Sequence, residues 1–184
     1  RGLSANVDPR FKGNEMWASR GGLYTATGTQ IGTARPSMNF AIWWDADLTR
    51  ELLDGNTISK WDFNSNTLVP LQSDPATASN NGTKANPALS ADLFGDWREE
   101  VIFRTTDNAN LRIYTTTALT PHRLFTLMHD PQYRVAIAWQ NAAYNQPPHP
   151  SFYIGEDMSA PPVPNISYVT DLIPPVVLTK NISV

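Results

Sequence analysis

Three glutamates constrain this chain more than any other feature. Glu15, Glu51 and Glu100 each stand directly before two hydrophobic residues: Met16-Trp17, Leu52-Leu53 and Val101-Ile102. Aspartates precede each of them (Asp8; Asp45 and Asp47; Asp92 and Asp96). A turn and a second apolar burst follow, starting near Leu23, Thr57 and Leu111. The glutamates are 36 and 49 residues apart. Repeats of roughly 40–50 residues, each with several strands, are the period of β-propeller blades. Short strands recurring by coincidence in one β-sandwich would look the same, and periodicity alone does not separate the two.

Composition favours strands. The acidic residues are twelve Asp and five Glu, and Lys occurs four times, so strong helix formers for exposed faces are scarce. Aromatic and β-branched bursts punctuated by Gly, Asn, Asp and Pro read as strands and turns. The expected strands are Glu15–Ala18, Leu23–Ala26, Phe40–Trp44, Leu48–Leu53, Thr57–Trp61, Glu100–Arg104, Leu111–Thr115, Leu124–Leu127 and Val135–Trp139. The stretch from Tyr133 to Asn145 has the apolar content of a helical turn, but its Val, Ile and Trp, bracketed by Pro131 and Pro147, favour a strand. The fold class is therefore all-β. About three blades fit in 184 residues, whereas a propeller closes with four to eight. Three blades are then a piece of a larger ring, whose remaining blades come from an N-terminal part or a second chain.

Net charge is −3 and the pI about 5.5, which excludes a nucleic-acid binder driven by a bulk positive field. No apolar run approaches the roughly 18 residues of a membrane helix. There is no cysteine, which excludes disulfides and thiolate metal sites, and no His pair has zinc-protease spacing. Nothing resembles a signal peptide. The chain opens on Arg1 rather than Met, which reads as a processed chain or a fragment.

Carboxylates recur on turning loops. Asp92, Asp96 and Glu100 occupy positions 1, 5 and 9 of one, where alternate residues can point at a cation; Phe94, at position 3, offers only its carbonyl. Calcium takes six to eight oxygens from carboxylates, carbonyls and water. The other reading is a solvated turn with Arg98 paired to a carboxylate. Asp45, Asp47 and Glu51 form a second such set around Thr49, against a polar strand edge with Arg50 as counter-charge. Asp8 with Glu15 is a third, interrupted by Pro9, Arg10 and Lys12.

Asn81-Gly82-Thr83-Lys84 lies in a long loop from about Asp74 to Ser90. Loops of this length without structure are often functional. Gly82 lets a ligand approach the backbone, Asn81 and Thr83 are polar, and Lys84 is cationic, which suits an anionic sugar. A surface hairpin turn accounts for the same residues. The segment Trp139 to Pro150 mixes aromatics and amides, which are typical of carbohydrate contacts and of proline-rich turns alike.

Longer strings carry a resemblance. Gly95-Asp-Trp-Arg-Glu-Glu100-Val-Ile, Leu111-Arg-Ile-Tyr-Thr-Thr116, Thr126-Leu-Met-His-Asp-Pro-Gln-Tyr-Arg134 and Ala138-Trp-Gln-Asn-Ala-Ala-Tyr144, running on to Tyr153, resemble rhamnogalacturonan lyases of polysaccharide lyase family 11. The similarity covers residues 1–155 and concerns the C-terminal part of that family's catalytic domain. It leaves 156–184 as a Pro-rich tail or closing strand, with Pro161-Pro-Val-Pro164 and Pro174-Pro175.

The resemblance implies an eight-bladed, calcium-binding propeller, a secreted (extracellular) location and a pectic substrate, rhamnogalacturonan I. It implies calcium-assisted β-elimination of the rhamnose–galacturonate backbone. It places substrate contacts on Asn81, Gly82, Thr83 and Tyr144, a base or carboxylate clamp on Lys84, and charge stabilisation on Arg1. As a base, Lys84 must be neutral, which requires a lowered pKa. Other site residues of the family lie upstream of the matched part. A non-catalytic calcium-bound propeller that binds glycan or protein is the alternative, against which the intact Asn-Gly-Thr-Lys loop speaks.

The blade count makes a first prediction. Residues 1–184 expressed alone should aggregate or lack activity; a monodisperse 20 kDa monomer that cleaves rhamnogalacturonan would refute it.

Overall fold

The computed structural model describes residues 2–142 and 146–165. It contains three four-stranded antiparallel sheets. The first comprises β1 (Gly2–Ala5), β2 (Glu15–Ala18), β3 (Leu23–Tyr24) and β4 (Gln30–Gly32). The second comprises β5 (Phe40–Ile42), β6 (Glu51–Asp54), β7 (Thr57–Asp62) and β8 (Thr67–Ser73). Strands in both pair in chain order. The third comprises β9 (Thr77–Ala78), β10 (Leu89–Ala91), β11 (Glu100–Thr105) and β12 (Leu111–Tyr114).

In the third sheet, β9 and β10 both pair with the same side of the ladder on β11. Thr77 and Ala78 stand opposite Thr105 and Arg104, and Leu89 to Ala91 stand opposite Ile102 to Glu100. They behave as one strand from which residues 79–88 are looped out.

The repeat seen in the sequence is structural. Glu15, Glu51 and Glu100 each begin the second strand of a sheet or its equivalent, β2, β6 and β11. Neighbouring strands then pair through short turns. Between β6 and β7 only Gly55 and Asn56 intervene, with Gly55 at φ 61°, the conformation a two-residue hairpin needs at its first central position.

The core follows from the strand alternation. Leu52 faces Ala5, Val7, Trp17, Leu23, Ala41 and Trp61, between the first and second sheets. Leu53, one residue on, faces the opposite way, with Phe40, Ile42, Ile58, Val101 and Phe103, between the second and third. The second sheet is thus covered on both faces, which is why β5 and β6 read as continuous apolar runs rather than alternating ones. Burying one such leucine contributes roughly 1.5–3 kcal/mol.

Two expected strands take other forms. Leu124–Leu127 forms no strand; Leu127 opens a 3₁₀ turn, Leu127–His129. Val135–Trp139 belongs to a helix, α1 (Pro131–Trp139). The helix wins because Asp130 caps it, its carboxylate accepting from the Tyr133 N–H at 3.1 Å, and because Pro131 sits in the first turn, where no N–H is needed. Tyr133 and Ala136 face inward at helical spacing and Val135 faces solvent.

Asp130 also accepts from the N–H and hydroxyl of Ser151, each at 2.7 Å, so it fastens α1 to the segment after it. Burial alone would push its carboxyl up, but the bonds from Ser151 and Tyr133 outweigh that and hold it below the usual aspartate range. Asp130→Ala in the full-length protein should lower stability by roughly 1–3 kcal/mol. The contribution of Asp130 is complete above the unfolded carboxyl pKa, about 3.9, and is lost as pH falls through its lower folded value. The variant's stability should therefore fall less steeply below pH 4 than the parent's in urea titrations; parallel acid limbs would contradict this.

Candidate active site and cation loops

The segment 79–88 leaves the third sheet as a closed loop. Its base is fixed by the Asn80 N–H donating to the Asn86 carbonyl at 2.9 Å. Asn81, Gly82 and Thr83 are exposed at its tip, Lys84 is half-buried, and Ala85, Asn86 and Pro87 are buried. A Cβ placed on Gly82 would meet nothing within 4 Å, so the tip is open to a ligand. Lys84 has φ 56°, a left-handed conformation that costs a non-glycine residue roughly 1 kcal/mol or more. Strain of this kind persists only where surrounding contacts over-determine it.

Those contacts come from side-chain amides. Asn86 accepts from Asn81 Nδ2 at 2.9 Å and donates to the Gln140 carbonyl at 3.3 Å and to Asn141 Oδ1. Asn141 donates back to the Ala88 carbonyl at 2.8 Å. Gln140, at the end of α1, mimics a paired strand: it accepts from the Ser90 N–H at 2.7 Å and donates to the Ser90 carbonyl at 3.0 Å. The C-terminal end of α1 is thus docked against both ends of the loop. Asn86 had no assigned role in the sequence, and Gln140 and Asn141 were read only within an amide and aromatic segment, because the partners that join loop and helix lie 50 or more positions apart.

A cavity of about 680 Å³ opens among Gly2, Met16, Trp17, Trp43, Arg50 and His149, with Gln146 also on its wall. Gly2 follows Arg1, and Gln146 lies two residues beyond Tyr144. Arg1 and Tyr144 themselves lie outside the described residues. Arg50 donates to the Ala41 and Pro148 carbonyls, each at 3.0 Å, pairs with Glu99 at 3.3 Å, and lies 3.9 Å over the Trp43 ring. The sequence offered Arg50 only as a surface counter-charge; in the fold it is buried and holds the cavity wall together.

The three acidic loops share one device. Each glutamate accepts from two consecutive backbone N–H groups upstream: Glu15 from Val7 and Asp8 at 3.0 and 3.1 Å, Glu51 from Trp44 and Asp45 at 2.8 and 3.2 Å, and Glu100 from Leu93 and Phe94 at 2.9 and 3.0 Å.

Beyond that device the loops differ. In the first, Glu15 Oε1 and Asn6 Oδ1 are buried with no hydrogen-bond partner, and Arg10 pairs with Asp8 at 2.6 Å. Burial pushes the Glu15 carboxyl up to about 7. In the third, Asp92 accepts from Gly95 and Leu127 N–H groups at 2.8 and 2.7 Å, and Asp96 pairs with Arg98 at 2.5 Å. Asp92 and Glu100 are both pushed up, chiefly by burial and in lesser part by the charge of Asp96. Phe94 is exposed, and its N–H serves Glu100.

In the second loop, Asp45, Asp47 and Glu51 converge, with one oxygen from each within 4.8 Å of the others; among the described residues only these acidic groups gather so closely. Lys60 sits among them, its Nζ 2.7, 2.7 and 2.8 Å from Asp45, Asp47 and Glu51. Sequence reading passed over Lys60, although the two-residue turn at Gly55-Asn56 fixes the register that sets it opposite Glu51.

The repeated sheets, the glutamate-clamped acidic loops and the strained Lys84 loop define a β-rich module with one candidate ligand loop. The profile of "Rhamnogalacturonan lyase family 11, C-terminal domain" matches residues 1–164, and the chain belongs to this family. It is 58% identical over 167 residues to rhamnogalacturonan endolyase YesW of Bacillus subtilis (strain 168), covering 90% of this chain and 27% of that protein. It is 52% identical over 181 residues to rhamnogalacturonan exolyase YesX of the same organism, covering 89% and 30%. The solved structure of Bacillus licheniformis rhamnogalacturonan lyase PL11 superposes with a TM-score of 0.87 at 56% identity, over 91% of this chain and 29% of that one. The chain therefore spans less than a third of the length of these relatives.

The amide clamp generates a prediction. Asn86→Ala in the full-length protein should raise amide hydrogen exchange across residues 80–84 about tenfold, the effect of losing roughly 1.4 kcal/mol of local hydrogen bonding. Unchanged exchange there would show that the loop is held by something else.

Proposed function

We propose that this chain supplies part of the active site of a rhamnogalacturonan lyase that cleaves pectic rhamnogalacturonan I by β-elimination. The observation that carries it is the strained Lys84 loop, locked to α1 by Asn86, Gln140 and Asn141, in a chain of the lyase family. The three sheets fit blades of a larger propeller, whose other blades lie in the part of the relatives this chain does not span. A pectic substrate outside the cell makes secretion the fitting location.

In the reaction, a base takes the C5 proton of galacturonate. The C5–H electron pair forms the C4–C5 double bond, the C4–O bond breaks, and the departing glycosidic oxygen takes up a proton. In this reading Lys84 acts as the base at C5 or clamps the carboxylate. Asn81, Gly82 and Thr83 present polar groups and open backbone to the sugar at the tip, and Tyr144 supplies a further contact. Arg1 stays protonated and stabilises the negative charge that builds on the enolate.

Calcium suits the first and third loops. Glu15 Oε1 and Asn6 Oδ1 are buried oxygens without partners, and the charge of Asp96 helps push the carboxyls of Asp92 and Glu100 up; the Phe94 carbonyl would complete the third set. When bound, calcium supplies positive charge that holds such carboxylates together and, next to a substrate, acidifies a proton beside a carboxylate.

Lys84→Ala should lower kcat about 10²–10⁴-fold, with a smaller effect on KM. The assay is the ultraviolet absorbance of the unsaturated product. Lys84→Arg should not restore a base, since guanidinium stays protonated, but should partly restore a clamp. Full kcat in Lys84→Ala would remove Lys84 from the site. Binding of rhamnogalacturonan without any product absorbance from the parent protein would favour the non-catalytic glycan-binding alternative.

A further inference from the structure

We infer that the second acidic loop carries its cation on its own chain: the Lys60 ammonium takes the place of a divalent metal ion, and this loop needs no calcium. Asp45, Asp47 and Glu51 had the residue pattern of a calcium loop, but the geometry does not fit one. Lys60 Nζ lies 2.7–2.8 Å from an oxygen of each of the three. An ammonium has three donors, and all three are used. A calcium ion at 2.3–2.6 Å from these carboxylates would have to occupy the space that Nζ fills.

The repeat shows that this is a substitution at one defined position. In the second sheet Leu52 pairs with Ser59 and Leu53 with Ile58, so one step further the register sets Glu51 opposite Lys60. In the third sheet Val101 pairs with Tyr114, which sets Glu100 opposite Thr115, and the Thr115 hydroxyl donates to Glu100 at 3.0 Å. In the first sheet Met16 pairs with Tyr24, which sets Glu15 opposite Thr25. The residue facing the glutamate is therefore Thr, Lys and Thr. A threonine brings a neutral oxygen and no charge, so in the first and third loops an arginine pairs with one aspartate each, Asp8 and Asp96, and among the described residues no cation reaches the glutamate. A lysine brings the charge itself.

Burial acts on both partners, pushing the Glu51 carboxyl up to about 8 although Lys60 draws it down. Glu51 is fully buried and Lys60 is mostly so, with 23% of its side chain exposed. Burial by itself would push the Lys60 amine down, but Glu51, Asp45 and Asp47 outweigh it and hold the amine well above the ordinary lysine range. Lys60 thus stays charged at any pH at which the carboxylates are ionised. Removing Lys60 leaves three converging carboxylates, which must take up a proton or another cation.

The inference rests on the calcium reading for the other two loops only as a contrast, and its test is independent of that reading. Calcium per chain is counted by elemental analysis after equilibrium dialysis of the full-length protein, its Lys60→Thr variant and its Asp45→Asn variant. Lys60→Thr should bind one calcium more than the parent, and its melting temperature should become more sensitive to chelation than the parent's. Asp45→Asn should carry the same number as the parent. If Asp45→Asn loses one calcium, the second loop is a metal site and the inference fails. If Lys60→Thr folds and gains none, Lys60 does not stand in a cation position and it also fails. Should Lys60→Thr not fold, the count on Asp45→Asn decides alone. A parent that holds no calcium at all would overturn the calcium reading of the first and third loops, while a gain in Lys60→Thr would still support the substitution.

Discussion

Each sheet depends on one buried carboxylate that gathers two consecutive backbone N–H groups. A glutamate is an acceptor only, and its oxygens can take several donors. Glu15, Glu51 and Glu100 use this to close the loop that leads into their own strands, and each is at most 2% exposed. Loop N–H groups buried without a partner would cost roughly 1–3 kcal/mol each. The position just before the glutamate is used as well: the Arg50 N–H donates to the Asn6 carbonyl at 2.7 Å and the Glu99 N–H to the Trp43 carbonyl at 2.8 Å. The same two residues then pair through their side chains. Sheets are thereby joined in series through equivalent positions.

This dependence explains why so much of the fold was legible. The clamp needs an acceptor at the head of an apolar strand and a turning loop before it, and both leave local marks in sequence. The six strands that start at Glu15, Leu23, Phe40, Thr57, Glu100 and Leu111 could be placed for that reason. The helix could not be placed by residue type. Val135, Ile137 and Trp139 favour strands, and the overriding signal was the Asp130-Pro131 start with Tyr133 and Ala136 at helical spacing. The exposed strand β8 was missed because Thr67 to Ser73 has little alternation and contains Pro70, opposite a register shift between Ile58 and Ser59.

The candidate site was legible in its tip and not in its support. Asn81 to Lys84 stand out as an unusual string, and the loop's length marks it. Asn86, Gln140 and Asn141 are unremarkable as letters, since an amide declares its role only when its partner is known. The acidic loops show the same limit from the other side. Asp45, Asp47 and Glu51 were found by spacing, yet the residue that settles their charge is Lys60, which belongs to a different strand.

The relation between repeat and site follows from where the repeat is broken. The interval from Glu51 to Glu100 is 49 residues, against 36 for the previous one, and the excess falls largely in the segment expelled between β9 and β10. β11 advances by only two residues, from Arg104 to Ile102, while its partner strand passes from Ala78 to Leu89. The ladder on either side stays in register, so the loop's ends are held at the spacing of a continuous strand. A ten-residue excursion with its ends pinned that closely has little freedom at its base, and the remaining freedom is removed by the amides at the end of α1. A left-handed Lys84 is sustainable under those conditions and would relax in a free loop. The regular sheets therefore act as the vice, the helix as the stop, and the chemistry is left to the few residues that the repeat does not use.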